Sequence, residues 1–188
     1  KPVMEGKAVL FKRFADIDGI DIEVDTSDAD EFVNCVKYLG KSWGGINLED
    51  IAAPECFIIE QKLSEKLDIP VFHDDQHGTA IVATAGVLNA LTITGRDIKN
   101  FKMVVNGAGA AGIACVELLK AMGMPSNNVI MCDRKGVISK DRTNLDQWKS
   151  AHAVDTPHKT LKDALKGADI AFGLSAKGAF TNEMMLSM

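Results

Sequence analysis

Apolar residues along this chain alternate between short continuous runs and helical spacing. The runs predict β-strands at residues 8–14, 20–24, 43–48, 69–72, 101–105, 129–132 and 170–174. Spacings of three and four predict helices at 28–40, 54–67, 77–91, 110–122, 144–151 and 161–166, and Thr181 can cap a last one. The β-α-β-α-β order of the second half predicts a parallel sheet with helices on both faces.

The pattern also predicts where helices begin, end and lie. Ser27 or Asp28 can cap the helix at 28–40, and Gly40 can end it. The helix at 77–91 is apolar nearly all round, so we expect it to be buried between layers. A polar connection at 92–99 follows it. We therefore predict two domains, residues 1–92 and residues 93–188.

A glycine fingerprint follows the strand predicted at 101–105. Residues 107–112 read GAGAAG, which fits the G-x-G-x-x-G pattern of dinucleotide-binding loops. Gly107 permits a tight turn, Gly109 lets a pyrophosphate approach the backbone, and Gly112 lets the helix pack on the strand. A strand before the loop and a helix after it give the pattern the context it needs. The candidate cofactor residues here are Gly107, Ala108, Gly109, Ala110, Ala111 and Gly112.

The next strand ends at Asp133, in the position where an acidic residue binds the ribose hydroxyls of a dinucleotide. Basic residues follow at once: Arg134, Lys135, Lys140 and Arg142. Asp133 favours NAD, because a carboxylate repels a 2′-phosphate. Arg134 and Lys135 favour NADP, because they can neutralise that phosphate. The alternative is that the basic residues form a solvated loop.

Pairs of carboxylates end two of the predicted strands. Glu49 and Asp50 follow one strand, and Asp74 and Asp75 follow another. Ligands gather at the carboxyl ends of strands in open α/β sheets, and converging carboxylates need a cation between them. Mg²⁺ or Mn²⁺ takes such oxygen ligands. The alternative is that Asp50 and Asp75 only cap helices, which explains one acid at each place but not two.

Three other residues near these carboxylates carry possible chemistry. His73 and His77 flank the Asp74-Asp75 pair, and a supporting or structural role fits them better than metal ligation. Lys7 stands before the first predicted strand. By composition alone, a lone lysine is a solvated surface group.

Composition and charge exclude some classes of protein. Residues 1–88 hold 8 Lys and Arg against 17 Asp and Glu, whereas residues 89–188 hold 13 against 9. The acidic half suits cations and the basic half suits phosphates, and neither has the basic blocks of a nucleic-acid binder. The apolar stretch at 80–91 is too short to span a membrane. The cysteines, Cys35, Cys56, Cys115 and Cys132, are expected to be free thiols of a cytoplasmic protein.

Taken together, these motifs resemble the bacterial, NAD(P)-dependent type of malic enzyme over essentially the whole chain. The most specific stretch is FHDDQHGTA at residues 72–80. The other matching stretches are KPVMEGK at 1–7, GGINLEDI at 44–51, PECF at 54–57 and NGAGAAG at 106–112. The resemblance implies a Rossmann-type parallel-sheet domain, preceded by a smaller α/β domain that binds metal and substrate.

The resemblance also implies a reaction and roles for individual residues. The family oxidises and decarboxylates (S)-malate to pyruvate and CO₂ with NADP or NAD and with Mg²⁺ or Mn²⁺. Lys7 matches the general base and Asp74 the carboxylate beside it. Glu49, Asp50 and Asp75 match the metal ligands. The implied partners are malate and further copies of the same chain, a dimer or higher, with no nucleic acid and no membrane.

The resemblance is incomplete in three places. In the family, the tyrosine that acts as general acid and the arginine that binds the substrate lie upstream of the position of Lys7. An asparagine-proline segment lies downstream of the last strand. Tyr38, the single tyrosine, does not match the family's position, and we expect it on a packed helix. The 188 residues therefore resemble the core of the enzyme and are expected to be inactive alone. Two alternatives stay open: a dinucleotide- and metal-binding module without turnover, and a related decarboxylating or amino-acid dehydrogenase.

Overall fold

The computed structural model describes residues 1–39 and 41–188, so the predicted helix end at Gly40 lies outside the described residues. The chain divides into two compact units. The first comprises Lys1–Ile51 and Glu55–Phe72, and the second comprises Ala52–Pro54 and His73–Met188. This division lies before the boundary predicted at residues 92 and 93. The helix at 74–94 packs against a helix of the second unit, so it belongs with that unit.

The described residues of the first unit form three helices and a short two-stranded sheet. Its elements in chain order are α1 (Pro2–Ala15), α2 (Ala29–Tyr38), β1 (Ile46–Leu48), α3 (Glu55–Lys66) and β2 (Val71–His73), whose last residue opens the second unit. β1 and β2 are hydrogen-bonded neighbours. A small apolar core joins α2, β1 and α3, and its buried members are Val33, Val36, Leu48, Ile59 and Leu63. This core fixes the end of β1, where Glu49 and Asp50 follow.

Helix α1 replaces the strand predicted at 8–14, and residues 20–24 form no strand, so both predictions were wrong. Pro2 occupies the first helical turn, where its missing N–H costs nothing, and basic side chains lie in the last turn. Val9 and Phe14 of this helix are exposed. An apolar run alone does not separate a strand from a helix segment, and here the run was misassigned.

Helix α2 confirms the predicted cap and corrects the placement of Tyr38. The Asp28 carboxylate accepts hydrogen bonds from the amides of Asp30 and Glu31, at 2.8 and 2.9 Å. These bonds satisfy two amides that the first turn leaves without helical partners. Tyr38 ends the helix with an exposed side chain rather than a packed one.

The second unit carries a four-stranded sheet. Its elements are α4 (Asp74–Thr94), β3 (Met103–Asn106), α5 (Ala110–Ala121), β4 (Val129–Asp133), β5 (Gly136–Val137), α6 (Gln147–Ser150), α7 (Leu161–Leu165), β6 (Ile170–Gly173) and α8 (Asn182–Leu186). The strand order is β5-β4-β3-β6, and β3 runs parallel to both neighbours. This confirms the α/β class with a parallel, Rossmann-type sheet. β5 is an antiparallel edge strand that is too short to have been predicted.

Helices cover both faces of this sheet, as the sequence predicts. On one face, Val104 and Cys132 pack with Leu165 of α7. The other cluster brings Cys115 of α5 and Ala80 of α4 together with Phe172 of β6. The thiols of Cys56, Cys115 and Cys132 are buried and free, and burial raises their pKa values to about 11, 11 and 12.

Helix α4 is less buried than its apolar sequence predicts. One stripe is covered, consisting of Gln76, Ala80, Thr84, Val87 and Leu91. On other sides, Val82 is 70% exposed and Ile93 is 86% exposed. The prediction that α4 lies between two layers was therefore wrong, because only a single stripe of it is covered in this chain. With 21 residues, α4 is long and apolar enough to cross a membrane by length and composition. Its packing against α5 and its two aspartates in the first turn fit a helix of a folded unit.

Candidate functional site

The loop between β3 and α5 is held by contacts between backbone atoms. Gly107 has a φ of +127°, and a Cβ there would overlap the carbonyl group of Leu174. A Cβ on Gly112 would overlap the carbonyl oxygen of Gly107. The Gly107 amide donates to the carbonyl of Cys132 at 2.9 Å. Both glycines are therefore required by the fold of the loop, as the fingerprint predicts.

Gly109 differs from these two glycines because the space beside it is open. A Cβ on Gly109 would meet no atom within 4 Å. Gly109 is also the N-cap residue of α5, and no side chain caps the first-turn amides there. Such amides and the positive end of the helix dipole suit an anion. The loop therefore has the room and the donors that a dinucleotide pyrophosphate requires.

Asp133 stands at the carboxyl end of β4 and is paired with Arg142. Two parallel hydrogen bonds of 2.9 Å join the guanidinium to the two carboxylate oxygens. The Lys135 amide donates to the same carboxylate at 2.8 Å. Burial raises the pKa of Asp133, but these hydrogen bonds and the charge of Arg142 outweigh burial, and the pKa lies below its ordinary value. Asp133 is therefore ionised and already neutralised by a cation.

The two basic residues that follow Asp133 occupy the turn before β5. Arg134 and Lys135 have exposed side chains, whereas the Arg142 side chain is mostly buried against Asp133. The sequence places Arg142 in a basic group but does not reveal its pairing with Asp133. No local pattern links the two, because they are brought together by the fold of β5 and the loop after it.

Lys7 lies on α1 and contacts Glu49 after β1, within the first unit. The Lys7 Nζ is 3.2 Å from a Glu49 carboxylate oxygen, and their side chains are 25% and 10% exposed. The side-chain Nδ2 of Asn47 donates to the same Glu49 oxygen at 3.1 Å. Composition alone predicts a solvated lysine at position 7, and the structure contradicts that expectation. The catalytic role of Lys7 stays a prediction.

Asp50 adopts a backbone conformation that side-chain-bearing residues rarely take. Its φ is +61°, in the left-handed region. Asp tolerates this region better than most residues, and strained backbone is found preferentially at functional sites. The conformation turns the chain directly after Glu49 and leaves Asp50 exposed.

Asp74 and Asp75 form the first turn of α4, in the second unit. The helix begins at Asp74 and not at the predicted residue 77. Asp75 lies 4.0 Å from Nδ1 of His73, which is fully buried. The Asp74 carboxylate lies over Gly78, where a Cβ would overlap it. The sequence motifs assign no role to Gly78, although residues four apart on a helix lie on the same face and a glycine there leaves room for the Asp74 carboxylate.

The structure brings some predicted site residues together within each unit. Lys7 and Glu49 are in contact in the first unit, and Asp133 is paired with Arg142 in the second. Among residues 1–39 and 41–188, no group of three or more His, Cys, Asp and Glu side chains is arranged to hold a metal ion. Glu49 and Asp50 belong to the first unit and Asp75 to the second. The metal ligand set therefore stays a prediction.

Comparison with known proteins gives a family match and close relatives. The model of the family "Malic enzyme, NAD binding domain" matches residues 76–188. An NADP-dependent malic enzyme of Rhizobium meliloti is 70% identical, and a probable NADP-dependent malic enzyme of Rickettsia prowazekii is 60% identical. Both alignments cover the whole of this chain.

A solved structure agrees over the same length. The crystal structure of an NAD-dependent malic enzyme of Thermotoga maritima superimposes with a TM-score of 0.93 at 46% identity, and it covers the whole of this chain. The chain spans 25% of the length of the Rhizobium and Rickettsia relatives and 51% of the Thermotoga chain.

Alanine at Gly112 and alanine at Gly109 should have different effects, the first on stability and the second on dinucleotide binding. Gly112→Ala should lower the free energy of unfolding by about 2 kcal/mol, because the methyl group overlaps backbone. Gly109→Ala should change it by less than about 0.5 kcal/mol, because the methyl group meets open space. Gly109→Ala should nevertheless weaken NADP⁺ and NAD⁺ binding at least tenfold, since the methyl group would occupy the open space that the fingerprint predicts for the pyrophosphate. Urea unfolding and calorimetric titration measure the two effects. Unimpaired dinucleotide binding by Gly109→Ala would contradict this assignment.

Proposed function

The chain belongs to the malic enzyme family, and we propose that its protein converts (S)-malate to pyruvate and CO₂ with NADP⁺ or NAD⁺ and with Mg²⁺ or Mn²⁺. The observation that carries this proposal is the placement of Lys7. Its ammonium lies 3.2 Å from a Glu49 carboxylate oxygen and is three-quarters withdrawn from solvent. A lysine held against a carboxylate at a strand end is placed to act on a hydroxy acid.

The proposed proton transfer uses Lys7 in its neutral form. The Lys7 Nζ would accept the proton of the C2 hydroxyl, and a bound dinucleotide would supply the hydride acceptor that oxidation of C2 to the ketone of oxaloacetate requires. The bond between C3 and the C4 carboxylate, which is β to the new C2 carbonyl, then breaks, releases C4 as CO₂ and leaves its electron pair in the enolate of pyruvate. A proton delivered to the resulting enol carbon completes pyruvate. Glu49 and Asn47 fix the Lys7 side chain, which limits the geometries from which it receives the proton.

The carboxylates at the strand end and the helix start fit a hard divalent cation by their donor chemistry. We propose Glu49, Asp50 and Asp75 as its ligands, since all three offer the oxygen donors that Mg²⁺ and Mn²⁺ prefer. The left-handed backbone of Asp50 supports this, because it is a strained conformation next to Glu49. When bound, the cation supplies stabilisation of negative charge that develops on the substrate oxygens.

For the dinucleotide we propose a preference for NADP over NAD. The Asp133 carboxylate is the group that would repel a 2′-phosphate, and Arg142 neutralises it through two hydrogen bonds. Arg134 and Lys135 are exposed in the adjoining turn and can add positive charge. The Rhizobium and Rickettsia relatives carry NADP in their names, which supports this preference.

Lys7→Met in the full-length protein tests the proposed base. We expect kcat with malate to fall by about 10²- to 10⁴-fold, the usual value of a general base. NADP⁺ affinity should stay within about twofold, because no cofactor residue changes. Lys7→Arg keeps the positive charge beside Glu49 but is not a base at neutral pH, so it should be equally slow. Lys12→Met, on the same helix but exposed, is the matched control. Near-normal turnover by Lys7→Arg would assign Lys7 a purely electrostatic role.

Asp75→Asn tests the proposed cation site. The substitution keeps the size of the side chain but removes its charge, and we expect Mn²⁺ affinity to fall at least tenfold in calorimetric titration. Asp68→Asn removes an exposed aspartate paired with Lys41 and serves as the control. Equal Mn²⁺ affinity in wild type and Asp75→Asn would remove Asp75 from the ligand set.

Arg142→Gln tests the cofactor preference. Without the guanidinium, the Asp133 carboxylate is no longer neutralised and repels the 2′-phosphate. The ratio of the NADP⁺ Kd to the NAD⁺ Kd should rise at least tenfold. Arg96→Gln breaks another arginine-aspartate pair, with Asp169 before β6, and should leave the ratio unchanged. A wild type that binds NAD⁺ more tightly than NADP⁺ would contradict the preference itself.

A further inference from the structure

Asn106 is the one polar residue in the buried strand β3. The preceding residues, Met103, Val104 and Val105, are apolar and almost inaccessible to solvent. Asn106 is 7% exposed, so its side-chain amide needs a hydrogen-bond partner to offset the loss of water. That partner is in a different part of the chain. The Asn106 Nδ2 donates to Oγ of Ser175 at 2.7 Å.

Ser175 lies in the loop that follows β6, at the same edge of the sheet as the glycine loop. The last register pair between β3 and β6 joins Asn106 to Gly173, and the Leu174 amide donates to the Asn106 carbonyl at 2.9 Å. Gly107 then passes so close to Leu174 that a Cβ would not fit. The loop after β6 is therefore held against the glycine loop by both backbone and side chain.

The outer part of the loop that follows β6 is exposed to solvent. Residues 175–178 are exposed, and Gly178 has a φ of +81°. Beyond them the loop returns to the sheet, where the Phe180 ring packs over Gly173. The Asn106–Ser175 hydrogen bond thus fixes the first residue of an exposed segment that starts next to Leu174, which lies against Gly107 of the glycine loop. Carboxyl ends of neighbouring parallel strands are where a dinucleotide lies in sheets of this type.

We propose that Asn106 is a positioning residue for the dinucleotide: through Ser175 it holds residues 174–180 in the conformation that receives the cofactor. This inference rests on the proposed function, because it concerns the same dinucleotide site. The physical effect is preorganisation, since a loop that is ordered before binding loses less conformational entropy when the cofactor arrives. Asn106 acts through Ser175 and needs no contact with the cofactor.

Ser175→Ala in the full-length protein tests the inference with little risk to folding, because Ser175 is exposed. In the cofactor-free protein, amide hydrogen exchange over residues 174–180 should become about fivefold faster, the value of one lost hydrogen bond. The NADP⁺ Kd measured by calorimetry should rise by about the same factor. Ser175→Thr keeps the hydroxyl group and should restore both values.

A double-mutant cycle separates the pair from two independent effects. Asn106→Ala should weaken NADP⁺ binding as Ser175→Ala does, and the double variant should be no weaker than the worse single variant. Asn128→Ala is the matched control. Asn128 lies just before β4, at the opposite end of the strands, and its side chain donates a similar hydrogen bond of 2.9 Å to the Lys99 carbonyl. It should change neither loop exchange nor NADP⁺ affinity.

The outcomes distinguish this inference from the proposed function. A Ser175→Ala variant with wild-type loop exchange and wild-type Kd would overturn the inference alone. Independent, multiplicative effects in the double variant would overturn it too. If the wild type bound neither NADP⁺ nor NAD⁺, the proposed function would fail first, and the inference would fall with it.

Discussion

The close approach of backbone to backbone around Gly107 organises the second unit. Gly107 passes against the Leu174 carbonyl, and Gly112 passes against the carbonyl of Gly107. These contacts fix the strand-to-helix turn after β3, and with it the direction of α5 and the position of the loop after β6. They also place Gly109 at the start of α5 with open space beside it. The open space beside the uncapped first turn of α5 therefore arises from packing constraints on the neighbouring residues.

Charge is arranged around this framework in local pairs. In the first unit the Lys7 ammonium contacts Glu49, and in the second the Arg142 guanidinium contacts Asp133. Each of these groups is partly withdrawn from water, where an unpaired charge is costly. The pairing holds the side chains in one geometry, and the hydrogen bonds and charge of Arg142 help to keep the pKa of Asp133 below its ordinary value. The acidic first half of the sequence suits cations, and the basic second half suits phosphates.

Several features follow directly from interactions between residues that are close along the chain, and the sequence predicts these. The Asp28 and Thr181 caps act on amides two or three residues ahead. The glycines of the loop all lie in the tight turn after β3 or at the start of α5, so their spacing is set by residues that are close along the chain. The helix and strand order of the second unit likewise predicts the parallel sheet. Motif resemblance adds Lys7 and the paired carboxylates as candidates, because a family pattern is carried by residue identity alone.

Tertiary structure alone decided the remaining features. Helix α1 and the exposed sides of α4 show that an apolar segment does not specify how many neighbours will cover it. The pairing of Asp133 with Arg142 spans nine residues and depends on the turn through β5, while Asn106 and Ser175 are 69 residues apart and meet only because β3 and β6 are neighbours. Local patterns record what a residue can do with its chain neighbours. A hydrogen bond acts over only a few ångströms. The order of the strands within the sheet therefore decides which distant groups come close enough to form one.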